Sequence, residues 1–383
     1  MKILLIGEYS RLHNSLKEGL IANGHKVTLV GSGDSFKKFP IDIQIDAKWI
    51  KKNKILTFLR QFIYKITRFD IASIETFLRF TNNIKDLSSF DTIQLINEFA
   101  FDTSAFIEKK LLAKIFKSNK NVYLLACGDD YTFISYLLSG QFEHSTLTPF
   151  LKDERLKKEY VHTLKCVSDS QRKISQYILQ HIKGIIPASV EYVKAYENKP
   201  KVLPMIPNPI NIDKINFQKF KDLKVIKIFH GINSFNILKK GNDYFTEALK
   251  VIAVTYPDKV KIITVTDMPY TKYFEKLKEA HIVLDQVYAH DQGYNALEAM
   301  AMGKVVFTGA GIHFDKHYQL KEKVAVNTRP DVNEIISNLS KLIEQPDLIK
   351  KIGINARTFI EEKHDYKIIA KKYLEAWRDQ NLA

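Results

Sequence analysis

Glu298 lies where an acid can reach a ligand bound at the start of a helix. The apolar run Ile282–Leu284 predicts a short buried parallel strand, and the polar residues 285–293 predict a loop after it. Residues 294–302 have the composition of a helix that Gly303 ends. Free N–H groups at a helix N-terminus favour phosphate, and an acid in the first turns can reach the same ligand. We therefore expect Glu298 to contact a ligand, whereas an isolated Glu would more simply be a carboxylate on a helix surface.

Two lysines precede a glycine earlier in the same half of the chain. Lys239, Lys240 and Gly241 come after a strand predicted from residue 225 and before a helix predicted over 243–252. An ammonium group and free backbone N–H groups at a helix start can both point at a bound pyrophosphate. The pattern favours phosphate contact. The alternative is a pair of surface lysines, since basic residues are plentiful in this chain.

The acidic helix resembles the donor-site signature of GT-B glycosyltransferases, in particular the large retaining family. That signature is a Glu, seven residues, and a second Glu followed by Ala-Met-Ala and a Gly. Glu298-Ala-Met-Ala-Met-Gly303 matches its second half, and His290 stands where the first Glu is expected. The resemblance implies that Glu298 holds the ribose hydroxyls of a nucleotide. It also implies that Asp285, Gln286 and His290 meet the donor sugar and that the anomeric configuration is retained.

The same resemblance implies how the donor diphosphate is held. The family has Gly-Arg, a few residues, and then Lys-Gly at this place. Lys240-Gly241 matches the second part, Asn233 lies near the place of the Arg, and Lys239 is a candidate for the missing charge. The helix N-terminus adds three further candidates, Gly293, Tyr294 and Asn295.

The acceptor side is predicted from the first half of the chain. Asp129 and Asp130 follow a strand predicted over 121–126, at a place where the family often contacts its acceptor. Adjacent acids could bind acceptor hydroxyls or a metal, but they lack the Asp-x-Asp spacing of metal-dependent transferases. Alternatively, one of them caps the helix predicted over 131–138. Gly7 lies in the first loop, which faces the cleft in GT-B proteins, although a plain tight turn explains this glycine equally well.

Length and composition indicate two α/β domains. A chain of 383 residues with 45% hydrophobic and 26% charged residues is globular and too long for one ordinary core. Residues 2–30 read as β-loop-α-β, which opens a Rossmann-like unit without a dinucleotide fingerprint. We predict two Rossmann-like domains facing a cleft. An acceptor domain spans 1–205, a proline-rich linker 206–222 and a donor domain 223–362, and by the resemblance a helix at 363–383 returns to the first domain.

The net charge of +15 predicts an anionic partner. Residues 48–69 contain no acid, and their apolar residues have helical spacing with aromatics nearby. A basic amphipathic helix of this kind is typical of a membrane interface. A core-packed helix with a solvated basic face has the same pattern, and the missing acid favours the membrane. The basic residues of the stretch are Lys48, Lys51, Lys52, Lys54, Arg60, Lys65 and Arg68.

The remaining signals concern the compartment. Cys127 and Cys166 have neither metal-ligand nor disulfide-framework spacing and are interpreted as buried thiols of a reducing compartment. The N-terminal apolar run predicts a strand, because it is too short for a signal peptide. We expect a cytoplasmic protein, with the basic stretch suggesting peripheral binding to the inner face of the cell membrane.

These patterns predict a glycosyltransferase that moves a sugar from a nucleotide-diphosphate-sugar to a lipid-linked or glycan acceptor in cell-envelope assembly. We expect no cofactor and no metal requirement. One alternative is a GT-B nucleotide-sugar epimerase, which has no separate acceptor. Another is a non-catalytic basic protein that binds a membrane or nucleic acid through 48–69, although no nucleic-acid motif is visible. The sugar, the base, the acceptor and the linkage are not readable from the sequence.

Overall fold

The computed structural model describes residues 1–34, 38–67, 69–220 and 223–379. They form two parallel β-sheets, each covered by helices, so the predicted architecture of two Rossmann-like α/β units is confirmed. The first sheet ends before the proline-rich segment and the second begins after it. The domain boundaries themselves stay predictions.

The first sheet has six strands in the order β3-β2-β1-β4-β5-β6, all parallel. The residues of its inner strands are mostly apolar and buried because helices cover both faces, whereas the edge strand over 43–44 is partly exposed. The carboxyl ends of the strands therefore meet at one edge, where loops can carry a site. The strands are β1 Lys2–Ile6, β2 Lys26–Gly31, β3 Ile43–Gln44, β4 Thr92–Leu95, β5 Val122–Ala126 and β6 Gly184–Pro187.

Ten helices accompany this sheet in the described part of the chain. They are α1 Leu12–Ala22, α2 Lys48–Lys52, α3 Lys54–Thr67, α4 Ala72–Asn83, α5 Ala105–Ser118, α6 Tyr131–Leu138, α7 Thr148–Lys152, α8 Val161–Lys165, α9 Asp169–His181 and α10 Val190–Tyr196.

The basic stretch forms two helices, α2 and α3, rather than one. Asn53 separates them, and its side-chain oxygen accepts hydrogen bonds from the N–H groups of Ile55 and Leu56 at 2.9 and 3.2 Å. A capping residue of this kind starts a new helix because it satisfies N–H groups that have no helical partner. Arg68, which belongs to the predicted basic stretch, lies outside the described residues.

The second sheet has five parallel strands in the order β11-β10-β9-β7-β8. The strands are β7 Ile226–Ile232, β8 Val260–Thr266, β9 Ile282–Leu284, β10 Val305–Thr308 and β11 Val326–Asn327. The helices are α11 Ile237–Lys240, α12 Asn242–Thr255, α13 Tyr270–Lys278, α14 Tyr294–Ala301, α15 Ile312–Tyr318, α16 Val332–Glu344 and α17 Pro346–Lys363.

The last helix, α18 Tyr366–Asp379, packs on the first unit. Tyr373 and Trp377 belong to the hydrophobic core of the first sheet, and the Tyr123 hydroxyl donates to the carbonyl of Trp377 at 3.0 Å. Helix α1 comes so close that a Cβ on Gly19 would lie 2.1 Å from the carbonyl oxygen of Tyr366. The predicted return of the chain to the first unit is present.

Candidate functional site

The lysine turn and the loop after β9 form one cluster at the carboxyl edge of the second sheet. The Lys240 ammonium donates to Asp285 Oδ1 at 2.7 Å, and the Lys240 carbonyl accepts from the N–H of Val287 at 2.9 Å. Asp285 is buried, and its second oxygen lies 3.3 Å from the Thr308 hydroxyl. Asp285 thus positions Lys240, and its carboxylate has little surface left for a sugar.

Gly241 gives the turn its shape. Its φ of 64° is left-handed, and a Cβ there would lie 2.2 Å from Val287 Cγ2. A side chain would push the lysine turn away from the loop that follows β9, which explains the Lys-Gly pair seen in the sequence. Asn233 accepts from the N–H of Phe235 at 3.0 Å and so caps the short 3₁₀ turn that precedes α11.

Glu298 lies on α14 and is almost fully buried. The Tyr270 hydroxyl is 2.8 Å from both of its carboxylate oxygens, and Arg11 Nη1 is 4.0 Å from Oε1. Burial disfavours the charged guanidinium of Arg11, but the charges of Glu298 and Tyr270 outweigh it and raise the pKa of Arg11. These partners line a cavity of about 210 Å³ between α1, the linker and α13.

The lysine turn and the acidic helix face the same side of the molecule. Lys239 donates to Asp129 Oδ2 at 3.0 Å, and Arg11 approaches Glu298, so both places meet residues of the first unit. The lysine turn follows β7 and the acidic helix follows β9, and these two strands are neighbours in one parallel sheet. Both places therefore lie between the two units, at one edge of the second sheet.

His290 is held between the two units. Its backbone N–H donates to Glu191 Oε1 at 3.1 Å, and its Nε2 lies 2.8 Å from the carbonyl oxygen of His144. The ring stacks on Phe142 and His144 at centroid distances of 4.7 and 4.6 Å. Burial lowers the pKa of His290, which keeps the imidazole neutral. Its neighbour Asp291 accepts from the N–H of Val190 at 3.1 Å, which closes this side of the cleft.

Glu191 is an acid in the cleft that sequence reasoning did not identify. Burial raises its pKa to about 7, although the N–H of His290 stabilises the ionised form. Arg11 and Glu191 both follow the carboxyl ends of strands of the first sheet, β1 and β6. This position after a strand was the signal in the sequence that could have identified Glu191, but several other polar residues share it.

The two adjacent acids separate in role. Asp130 is fully buried, accepts from the N–H of Phe133 at 2.7 Å as the cap of α6, and accepts from the Tyr196 hydroxyl at 2.6 Å. Asp130 thus has the capping role that was the alternative for this pair, and its contact with an acceptor stays a prediction. Asp129 is partly exposed and bonded to Lys239 and to the Thr163 hydroxyl.

The remaining predicted residues differ in accessibility. Gly7 has a φ of 87°, and a Cβ there would lie 2.2 Å from Ile96 Cγ2, so the close packing of the first loop already requires this glycine. Gly293 precedes α14 with open space around it, and Gln286 and Asn295 are half-buried. Tyr294 donates its hydroxyl to the carbonyl of Pro209 at 2.8 Å and thus fastens α14 to the linker.

The described part of the chain contains neither a group of metal ligands nor a membrane-spanning helix. Among residues 1–34, 38–67, 69–220 and 223–379, no three His, Cys, Asp or Glu side chains are placed to hold a metal ion. Within the same ranges, every helix is too short or too polar to cross a membrane.

Comparison with known proteins assigns a chemistry to this region. Residues 235–375 match a protein family described as glycosyl transferase-like. That segment contains the lysine turn, the loop after β9 and the acidic helix. The predicted enzyme class, a glycosyltransferase, is confirmed by this match together with the GT-B fold. No curated protein sequence matches the chain.

Solved structures share the fold along nearly the whole chain. Sucrose-phosphate synthase from Thermosynechococcus elongatus has a TM-score of 0.61 and 12% identity, covering 99% of this chain and 98% of the other. HepE from Anabaena, solved with UDP and glucose, has a TM-score of 0.54 and 13% identity over 99% and 100%. UDP-GlcNAc 2-epimerase from Neisseria meningitidis, bound to UDP-GlcNAc, has a TM-score of 0.52 and 13% identity over 99% and 100%.

Proposed function

We propose that this protein transfers a sugar from a nucleoside-diphosphate-sugar to an acceptor hydroxyl. The observation that carries the proposal is that the lysine turn and the acidic helix follow neighbouring strands of one sheet and that both meet residues of the first unit. A cation beside a helix N-terminus suits a diphosphate, and a buried carboxylate nearby suits ribose hydroxyls. In the reaction the acceptor oxygen bonds to the anomeric carbon, and the bond from that carbon to the β-phosphate oxygen breaks. The hydroxyl proton is lost, and the nucleoside diphosphate leaves.

Lys240 and the N-terminus of α14 would stabilise the charge that grows on the leaving diphosphate. Asp285 holds the ammonium in place before the donor arrives. A group held in advance needs little rearrangement during the reaction, and this makes its electrostatic effect large. Lys239 adds a second charge on the same turn, where it now pairs with Asp129.

The ribose would bind at Glu298, where its hydroxyls donate to the carboxylate in place of the Tyr270 hydroxyl. Arg11 Nη1, at 4.0 Å from Glu298 Oε1, brings a positive charge close to this carboxylate. Tyr270 lies at the edge of the same cavity.

The donor sugar would lie between His290, Gln286 and Glu191. Glu191 is bonded to the backbone of His290, so its carboxylate lies beside the position where the resembling family has its first Glu. We therefore assign to Glu191 the acidic contact with the sugar that His290 cannot make. Retention of the anomeric configuration is the expectation that goes with this assignment.

The acceptor is proposed to be a membrane-linked glycan of the cell envelope, reached by a cytoplasmic enzyme at an anionic inner leaflet. None of the fourteen residues of α3, all within the described chain, is buried. Its apolar side chains Ile55, Phe58 and Ile66 are 76%, 69% and 66% exposed. An exposed apolar face beside lysines binds the boundary between headgroups and acyl chains.

Product analysis tests the proposal. Purified protein is incubated with a panel of nucleoside-diphosphate-sugars and a membrane extract as acceptor source, and nucleotide release and sugar incorporation are measured. Incorporation that disappears in Glu298→Gln is the expected result. Conversion of the donor sugar without any acceptor would instead identify an epimerase, which the similarity to the N. meningitidis enzyme keeps as the second candidate.

A further inference from the structure

A second cavity, of about 790 Å³, lies in the first unit next to α2 and α3. Its volume falls in the range of sites that enclose small organic ligands, roughly 300–1,000 Å³. Its walls are the segment from Lys38 to Lys48, helices α2 and α4, and the pair Phe101 and Asp102.

The cavity extends from the amphipathic helix toward the donor site. Phe39, on its wall, packs edge-on against Tyr270 at a centroid distance of 6.0 Å, and Tyr270 bonds Glu298. A smaller cavity lined by Gly7, Glu8 and Tyr9 shares wall residues with it, namely Ser32, Ile45, Phe101 and Asp102. A molecule in the large cavity would thus lie between Arg60 of α3 and the cleft.

The charges of the lining favour an anion. Lys38, Lys48, Lys51, Lys52 and Arg60 contribute five positive charges, and Asp46, Asp70 and Asp102 contribute three negative ones. Arg60 is neutralised by a two-pronged ion pair with Asp70 at 2.6 and 2.7 Å. The Lys51 ammonium lies 3.6 Å from Asp46 Oδ2, a longer distance than in the Arg60–Asp70 pair, and a phosphate can replace this contact.

The lysines and the carboxylates lie on different parts of the wall. Lys48, Lys51 and Lys52 are on α2, beside the start of α3. Asp102 adjoins the smaller cavity and the first loop, and it has a left-handed φ of 52°, a strained conformation for Asp. Phe39 and Phe101 add aromatic surface to the lining, which suits the apolar face of a sugar ring.

We propose that this cavity binds the acceptor, and that the acceptor carries a phosphate group seated at Lys48, Lys51 and Lys52. The sugar hydroxyls of the acceptor point toward Asp102 and the cleft. This inference rests on the proposed sugar transfer and names the substrate class of that reaction. A phosphate has strong acceptor oxygens that several ammonium groups bind together.

The experiment measures binding of glucose 6-phosphate, glucose and inorganic phosphate to the full chain, without membranes and with saturating UDP. UDP occupies the donor site, so its phosphate-binding groups do not contribute. Calorimetry is supplemented by the fluorescence of Trp49, which lies on α2. Two double variants remove equal charge: Lys51→Gln with Lys52→Gln on the cavity wall, and Lys54→Gln with Lys65→Gln on α3 outside it.

Glucose 6-phosphate is expected to bind with a Kd in the millimolar range or lower, whereas glucose is not expected to bind. The double variant on the cavity wall is expected to weaken the binding of glucose 6-phosphate about tenfold or more. The α3 pair leaves binding unchanged. No binding of the sugar phosphate, or equal loss in both double variants, overturns the inference. Failure of the wild-type protein to bind any nucleoside diphosphate would instead overturn the proposed function.

Vesicles separate a lipid headgroup from a free phosphate. If the two pairs weaken adsorption to phosphatidic acid vesicles equally and neither changes glucose 6-phosphate binding, α2 takes part in general membrane attraction only, and the inference is wrong. If only the double variant on the cavity wall weakens both vesicle adsorption and glucose 6-phosphate binding, the cavity binds the phosphate of a lipid headgroup as well as that of a free sugar phosphate.

Discussion

Glu298 and Lys240 each have a protein partner in this structure. Tyr270 bonds both oxygens of Glu298, and Asp285 holds the Lys240 ammonium. Both charges are largely withdrawn from water, so each depends on its partner. A ligand that brings hydroxyls to Glu298 and a phosphate to Lys240 would supply interactions of the same kind.

Replacing Glu298 with Gln is expected to weaken UDP binding by about 10- to 100-fold, because hydrogen bonds to a charged acceptor contribute about 1.5–3 kcal/mol. Titration calorimetry measures the change. Glu247→Gln, on the exposed surface of α12, is the matched control. Unchanged UDP affinity in Glu298→Gln would remove Glu298 from the site.

Replacing Lys240 with Met is expected to lower kcat by about 10²–10³, since Lys240 acts on charge that develops in the transition state. Steady-state kinetics with the donor identified in the panel gives kcat and KM separately. Lys250→Met, at an exposed ion pair on α12, is expected to leave both unchanged. An increase confined to KM would mean that Lys240 contributes only to ground-state binding.

Glu191 is expected to make folding stability depend on pH. Burial raises its folded-state pKa from 4.5 to about 7, so between these values the folded state keeps a proton that the unfolded state has released. The stability contributed by this group therefore falls as pH rises from about 4.5 to 7 and is level above that. The free energy of unfolding of Glu191→Gln, measured relative to that of wild type, should therefore rise by about 1–3 kcal/mol from pH 5 to pH 8. Urea unfolding at both pH values measures it, and a constant difference would contradict the raised pKa.

Helix α3 has an apolar face that no other element covers in the described structure. Ile55, Phe58 and Ile66 are mostly exposed, and Arg60 on the same helix is paired with Asp70. In the described part of the chain, Leu56 alone of its apolar side chains packs against the small buried cluster of Ala47, Ile50 and Ala72, and a helix of this length is stabilised poorly by its own backbone hydrogen bonds. A membrane surface would supply the missing burial.

The double variant Ile55→Ser, Phe58→Ser is expected to reduce flotation with phosphatidylglycerol vesicles, because each apolar side chain contributes about 1.5–3 kcal/mol when buried. Thermal stability should change little, since both side chains are already exposed. The control is Phe235→Ser, Val254→Ser in the second unit, where the side chains are 90% and 83% exposed. Equal flotation of both variants and wild type would argue against the membrane role of α3.

The two units are held together by α18 and by contacts across the cleft. Trp377 is fully buried in the core of the first sheet, although its helix follows the last helix of the second unit. Lys239 with Asp129 and Arg11 with Glu298 add polar contacts between the units at the site itself. Donor binding would compete with these contacts, so ligand occupancy and the relation of the two units are coupled.

Trp377→Ala is expected to lower the free energy of unfolding by about 3–5 kcal/mol, because it leaves a large cavity in the core. Trp49→Ala provides a control with the same chemical change, and it should cost less than about 1 kcal/mol because Trp49 is 60% exposed. Urea denaturation followed by circular dichroism measures both. Similar losses for the two variants would show that α18 does not fasten the units.

Local pattern was sufficient for much of this molecule. Apolar runs of strand length and helical spacing predicted two α/β units, and the Lys-Gly and Glu-Ala-Met-Ala patterns placed Lys240 and Glu298 after strands of the second sheet. These features depend on residues close together in the chain, where period and chain geometry decide the outcome.

Tertiary packing decided which of these side chains meet. Only the folded chain brings Arg11 to Glu298 and Glu191 to the backbone of His290, and only it buries Asp130 as a helix cap while leaving Asp129 in the cleft. The physical reason is that such contacts join residues from separate strand ends and separate units, and their distances follow from how sheets and helices pack. A linear pattern specifies which elements form, but the relative placement of those elements determines the chemistry of the cleft.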